Sequence, residues 1–156
     1  QTFKLHPGDC NTRNARKYCR IEAHTKLQMK KGEKHEFTAT YNIGKAEETV
    51  CIFQVFNSSV VHPQLYIKIL PNGDLRYQSR GNPPGLIDTD CLNKDFTLHV
   101  KDDGYKWQLF YNGKKVSEGP HQEKGIDTVC EFRCGLYNNN VPSTEIYSTV
   151  KNVIIK

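Results

Sequence analysis

Gln64-Leu65-Tyr66-Ile67-Lys68-Ile69 alternates apolar side chains with polar or amphipathic ones, and Leu70 closes the run. Leu65, Ile67 and Ile69 fall on one side, and Gln64, Tyr66 and Lys68 on the other. That period of two is the mark of a half-buried β-strand. Working outward, strand-like runs recur at Cys19–Leu27, Glu36–Asn42, Val50–Asn57, Asp74–Tyr77, Phe96–Lys101, Lys106–Tyr111, Lys114–Glu118, Cys130–Tyr137 and Glu145–Ile155. Turn residues part them: Asn72-Gly73, Asp103-Gly104 and Asn112-Gly113. The last is the strongest hairpin cue, because a type I′ turn needs positive φ at both central residues. Gly81–Gly85, with its Pro pair, reads as a loop. No window of a dozen residues keeps an i, i+3, i+4 apolar stripe. The fold class is therefore all-β, a two-sheet antiparallel sandwich of jelly-roll type.

The chain has 156 residues, a size suited to one domain, here taken as residues 1–156 with 1–18 as an N-terminal extension. It is 37% hydrophobic and 25% charged, which excludes a disordered chain. No run approaches the ~20 apolar residues of a membrane span. A net charge of +5 favours acidic partners without naming one. Phosphate-loop, dinucleotide-binding, serine-hydrolase and zinc-protease motifs are absent, and no RNP-like aromatic pattern suggests nucleic acid. No cofactor or metal is implied.

Six cysteines, Cys10, Cys19, Cys51, Cys91, Cys130 and Cys134, carry no zinc-ligand spacing. Their even number predicts disulfides and a secreted protein. Cys130 and Cys134 on one strand would lie about 13 Å apart at ~3.3 Å per residue, too far to bridge each other. Cys10 and Cys19 are placed to close a short loop that tethers the extension. Asn57-Ser58-Ser59 is a candidate glycosylation site.

Alternation sets Cys51, Phe53 and Val55 on an apolar face, with Ile52, Gln54 and Phe56 opposite. It likewise sets Cys130, Phe132, Cys134 and Leu136 against Glu131, Arg133, Gly135 and Tyr137, and Cys19, Ile21 and Ala23 against Arg20, Glu22 and His24. Trp107 reads as core. His6, His35, His99 and His121 read as surface or hydrogen-bonded residues.

Three short motifs then follow in order: Arg20-Ile21-Glu22-Ala23-His24, Phe53-Gln54-Val55-Phe56, and Glu131-Phe132-Arg133-Cys134-Gly135-Leu136-Tyr137-Asn138-Asn139. Together they resemble the R-x-E-x-R, Q-[IV]-H and Y-F-K-A-G-x-Y-N-Q signatures of family-seven polysaccharide lyases, the alginate-lyase sandwiches. The resemblance spans about residues 18–156. It implies a jelly roll whose concave sheet binds acidic, uronate-containing polysaccharide and cleaves it by β-elimination.

Carried over position by position, Arg20 and Gln54 would neutralise the uronate carboxylate. Tyr137 would donate to the leaving oxygen and take the C5 proton. Arg133 stands where the family has Lys, and would hold substrate charge. Glu22, His24, Phe56, Tyr66, Lys68 and Asn139 complete the expected substrate-binding set. A carbanion beside a carboxylate needs such positioned cations and donors. The Q-x-H signature reads Gln54-Val55-Phe56 here, with Phe where the family has its catalytic His. His24 or His62 would have to stand in, or Tyr137 would act alone. The alternative is a lyase-like scaffold without catalysis: a lectin, or a secreted effector that meets a host or cell-surface protein.

Overall fold

The structure is a computed structural model. It describes residues 1–7, 9–11, 18–25, 29–57, 62–80, 82–122, 130–138, 140 and 142–156, without the side chains of Cys10, Asn11, Tyr18 and His62. Among these residues thirteen strands form: β1 (Thr2–Leu5), β2 (Cys10–Asn11), β3 (Tyr18–His24), β4 (His35–Ile43), β5 (Val50–Asn57), β6 (His62–Ile69), β7 (Leu75–Ser79), β8 (Gly85–Asp88), β9 (Asp95–Asp102), β10 (Lys106–Tyr111), β11 (Lys114–Pro120), β12 (Cys130–Asn138) and β13 (Ile146–Ile155). They build a six-stranded sheet, β1-β13-β4-β9-β10-β11, and a seven-stranded sheet, β2-β3-β12-β5-β6-β7-β8. Every strand pairing is antiparallel. Late strands slot between early ones, β12 between β3 and β5 and β13 between β1 and β4, as a jelly roll requires.

Alternating apolar residues from both sheets meet between them. Phe37 of β4 packs on Phe53 of β5 at 4.7 Å and on Phe132 of β12 at 5.8 Å, and Phe53 and Phe132 lie 5.9 Å apart. All three are buried. Each such ring contributes roughly 1.5–3 kcal/mol by leaving water. Trp107 is buried, as its place in β10 predicts. The β10–β11 hairpin turns on Asn112 and Gly113, with φ of 47° and 81°.

Several expectations are corrected. The N-terminal residues are more than an extension: β1 is an edge strand of the six-stranded sheet, and Phe3 and Leu5 are core. Gly85 opens a strand, β8, rather than closing a loop. Cys51, Cys91, Cys130 and Cys134 are free thiols. Each sulfur has its own surroundings: Cys51 beside the Phe53 carbonyl, Cys91 beside Tyr111, and Cys130 3.9 Å from His121 Nδ1. Cys134 packs in the core. Cys19 is disulfide-bonded; Cys10 faces it across the β2–β3 ladder. Asn57 is fully buried in β5. A glycan on its amide has no room in the folded sheet.

The face assignment in β5 also changes. Cys51 pairs with Lys68 and Phe53 with Ile67, so Ile52 is an extra residue on β5. This bulge exchanges the faces beyond it. Ile52 joins the core, and Cys51 turns to the opposite side of the sheet.

Candidate functional site

Registration across five neighbouring strands aligns two rows on the seven-stranded sheet. In one, His24 stands opposite Arg133, Arg133 opposite Gln54, Gln54 opposite Tyr66, and Tyr66 opposite Gln78. In the other, Arg20 stands opposite Tyr137, Tyr137 opposite Cys51, Cys51 opposite Lys68, and Lys68 opposite Arg76. Glu22 lies between the rows, opposite Gly135. Phe56 continues the first row's face opposite Glu131. The sheet therefore gathers Arg20, Glu22, His24, Gln54, Phe56, Tyr66, Lys68, Arg133 and Tyr137. Asn139 lies outside the described residues, as does the side chain of His62.

A groove of about 750 Å³ runs beside the second row, lined by Cys51, Tyr66, Lys68, Tyr137 and Asn138, with Glu48, Thr49 and Asn140 at its end. Lys68 Nζ sits over the Tyr66 ring at 4.8 Å and donates to Gln78 Oε1 at 2.8 Å. Both partners are neutral. Asn138 Nδ2 donates to Glu48 Oε2 at 3.2 Å, tying the groove end to the β4–β5 loop. Burial pushes the Cys51 thiol up to about 12, with the Glu22 charge adding to it, so it stays protonated and unreactive at neutral pH. Burial also raises Tyr66.

Beyond the groove the charges are internally matched. Gln54 is buried, and its Nε2 donates to Glu22 Oε1 at 2.5 Å. Glu22 Oε2 is buried with no hydrogen-bond partner, and burial raises the Glu22 pKa above its ordinary 4.5. The Arg133 guanidinium lies 3.5 Å from the Phe56 ring centre. Its Nε donates to Glu131 Oε1 at 2.7 Å, and its Nη2 donates to the same oxygen. His24 Nδ1 is 3.8 Å from that carboxylate oxygen, and burial together with Arg133 lowers its pKa, favouring the neutral ring. Among the described residues no group of three or more His, Cys, Asp or Glu side chains is placed to hold a metal ion.

The raised Glu22 pKa has a measurable consequence. The folded state holds that proton more tightly than the unfolded chain does. The resulting stability is full below pH 4.5 and is lost as pH rises through the folded value. Glu22→Gln keeps the acceptor for Gln54 and removes the charge. Its melting temperature is expected to match wild type near pH 4 and to exceed it at pH 7 by about 2–4 °C, the effect of ~1 kcal/mol in a chain of this size. Thermal melts across that range check it.

No family model matches the sequence, and no curated protein does. Solved structures do match. An alginate lyase of polysaccharide lyase family 7, AlgAT5, superposes with a TM-score of 0.83 over 99% of this chain and 76% of its own, at 21% identity. The fold is that of the family-seven alginate lyases. Alginate lyase A1-II′, of the same family, gives a TM-score of 0.81 over 99% of this chain and 78% of its own, at 14% identity. Alginate lyase PA1167 from Pseudomonas aeruginosa gives 0.73 over 99% and 97%, at 13% identity.

On this alginate-lyase fold, the three motifs read from sequence occupy adjacent strands: β3, β12 and β5. Three features escaped the sequence. Cys51 enters the groove only through the bulge, which no local residue signals. Glu131 was on the right face, but its hold on Arg133 is a side-chain choice. Glu48 and Asn140 come from loops that the sheet brings to the groove end.

Proposed function

We propose that this protein binds acidic, uronate-containing polysaccharide along the face of the seven-stranded sheet that bears Arg20, Lys68 and Tyr137. The observation that carries this is Lys68. It lines the groove, and its ammonium is met by Gln78 and Tyr66 rather than by a carboxylate. A cation left uncompensated in a groove attracts an anionic ligand. Tyr66 and Tyr137 line the same groove and offer ring faces and hydroxyls to a sugar. Solved alginate lyases with the same fold support the substrate class. Such polymers lie outside cells, so the proposal includes secretion.

The test is titration calorimetry with polymannuronate, polyguluronate and polygalacturonate, against a neutral glucan. Saturable binding to at least one polyuronate, weakened by salt, is expected. Absence of binding to all three, or equal binding of the neutral polymer, would sink the proposal.

A second reading, β-elimination, is favoured by Tyr137. Its side chain lines the groove on the strand next to Arg20. In that step Tyr137, as the phenolate, takes the C5 proton and the C4–O bond breaks. The proton then goes to the leaving oxygen, and an unsaturated uronate remains. Arg20 would hold the uronate carboxylate, and Gln54, whose Nε2 carries a second hydrogen, would assist. Neutral His24 stands on the same face, while Phe56 contributes no proton. Turnover shows as ultraviolet absorbance of the unsaturated product, and Tyr137→Phe abolishes it. Binding without any such absorbance assigns the protein to the lectin-like class.

A further inference from the structure

We infer that Glu131 is a built-in counter-ion that withholds Arg133 from an anionic ligand, and so limits how tightly this face binds one. The inference rests on the polyuronate proposal.

Arg133 is largely enclosed, with 11% of its side chain exposed. Three contacts fix it. The Phe56 ring covers one side of the guanidinium at 3.5 Å. The Nε and Nη2 donors both close on one Glu131 oxygen. Glu131 itself is only 20% exposed, so water screens this pair less than an ordinary surface pair. Two of the five guanidinium donors are thus spent on a carboxylate, and the net charge of the pair is zero.

A uronate carboxylate approaching Arg133 must compete with a carboxylate already in place, and it meets the repulsion of Glu131 as well. The contrast with Lys68 lies on the same sheet. There the partners are an amide and a phenol, and the ammonium charge remains open. The face therefore divides into an open cationic end, at Lys68, and a self-neutralised end, at Arg133. Phe56 has a part in this: its ring backs the guanidinium at 3.5 Å while the Nε and Nη2 donors reach Glu131.

Glu131→Gln keeps an oxygen acceptor for Arg133 and removes the negative charge. Calorimetry with the best-bound polyuronate should show affinity rising about fivefold or more, with a steeper salt dependence. In a double-mutant cycle, Arg133→Gln alone should weaken binding, because it leaves the Glu131 charge unpaired on this face, and the double variant, with neither charge, should lose the gain and bind within about twofold of wild type. An unchanged or weaker affinity in Glu131→Gln, while wild type binds, overturns the inference and leaves the polyuronate proposal standing. A gain that persists in the double variant also overturns it. If neither wild type nor Glu131→Gln binds any polyuronate, both fall. Circular dichroism of each variant secures the comparison against misfolding.

Discussion

Replacing Gly135 by alanine is expected to lower stability by about 3–5 kcal/mol and to disable the groove face in the same stroke. Gly135 sits in β12 with φ +146°, outside the range that L side chains readily adopt. A Cβ there would lie 2.2 Å from the Ile21 carbonyl oxygen and 2.8 Å from the Glu22 Cα. Both are backbone atoms of β3, so no rotamer change relieves the contact. Either β12 flattens or β3 is pushed off. β3 has few other attachments in its sheet: β12 on one side and the two-residue β2 on the other. Losing register there moves Arg20 away from Tyr137 and Glu22 away from Gln54. Thermal denaturation should show a fall of roughly 10 °C or more. Gly113→Ala is the control. It also has positive φ, +81°, but meets nothing within 4 Å, so only the backbone preference, about 1 kcal/mol, is at stake. A Gly135→Ala melting temperature within 2 °C of wild type would show that the strands can separate locally at no cost.

Gly135 also illustrates what the sequence could disclose. The third motif pointed to it, but the reason for a glycine lies in the neighbouring strand's carbonyl, which no local pattern encodes. The fold itself was open to reading wherever strands alternate strictly. β6 kept its Leu65, Ile67, Ile69 face inward, and β12 kept Phe132 and Leu136 inward. The parity of β5 failed at one residue. A bulge is an extra residue set by how two strands pair, here Ile52 between the Cys51–Lys68 and Phe53–Ile67 pairs of β5 and β6. Residue types in Val50–Asn57 are apolar on both faces, so nothing local opposed the simple alternation. The simple alternation puts Cys51 on the apolar face with Phe53 and Val55. Short edge strands were missed for a different reason. β1 and β8 have four residues each, too few to display a period. The cysteine count misled because small apolar thiols also suit a core: Cys130 and Cys134 pack as hydrophobes, with pKa values pushed by burial to about 12 and about 11.

Removing the two cations at the open end should have the largest effect on ligand binding. Lys68→Met keeps the apolar stem over Tyr66 and deletes the ammonium, and Arg20→Ala deletes an exposed guanidinium on the neighbouring row position to Tyr137. A hydrogen bond to a charged group is worth roughly 1.5–3 kcal/mol, so each change should weaken polyuronate binding about tenfold or more, and both together about a hundredfold. The fold should hardly notice. Lys68 has no carboxylate partner to leave stranded, and the loss of its bond to Gln78 frees an amide that is half-exposed. Melting temperatures are therefore expected within about 2 °C of wild type, below the effect of 1 kcal/mol. Salt supplies the second readout. Screening acts over about 10 Å at 0.1 M, so wild-type affinity should fall as salt rises, and the double variant should show a flatter dependence. Lost affinity with an unchanged salt slope would mean that Tyr66 and Tyr137 stacking, not charge, holds the ligand. Retained affinity in the double variant would move the ligand off this face altogether. The matched end of the sheet makes the comparison sharp. Arg133 carries the same formal charge as Arg20, yet removing it together with Glu131 should change affinity little, because the two charges already cancel each other. Only a face whose cations differ in their internal partners, rather than in their number, predicts that ordering.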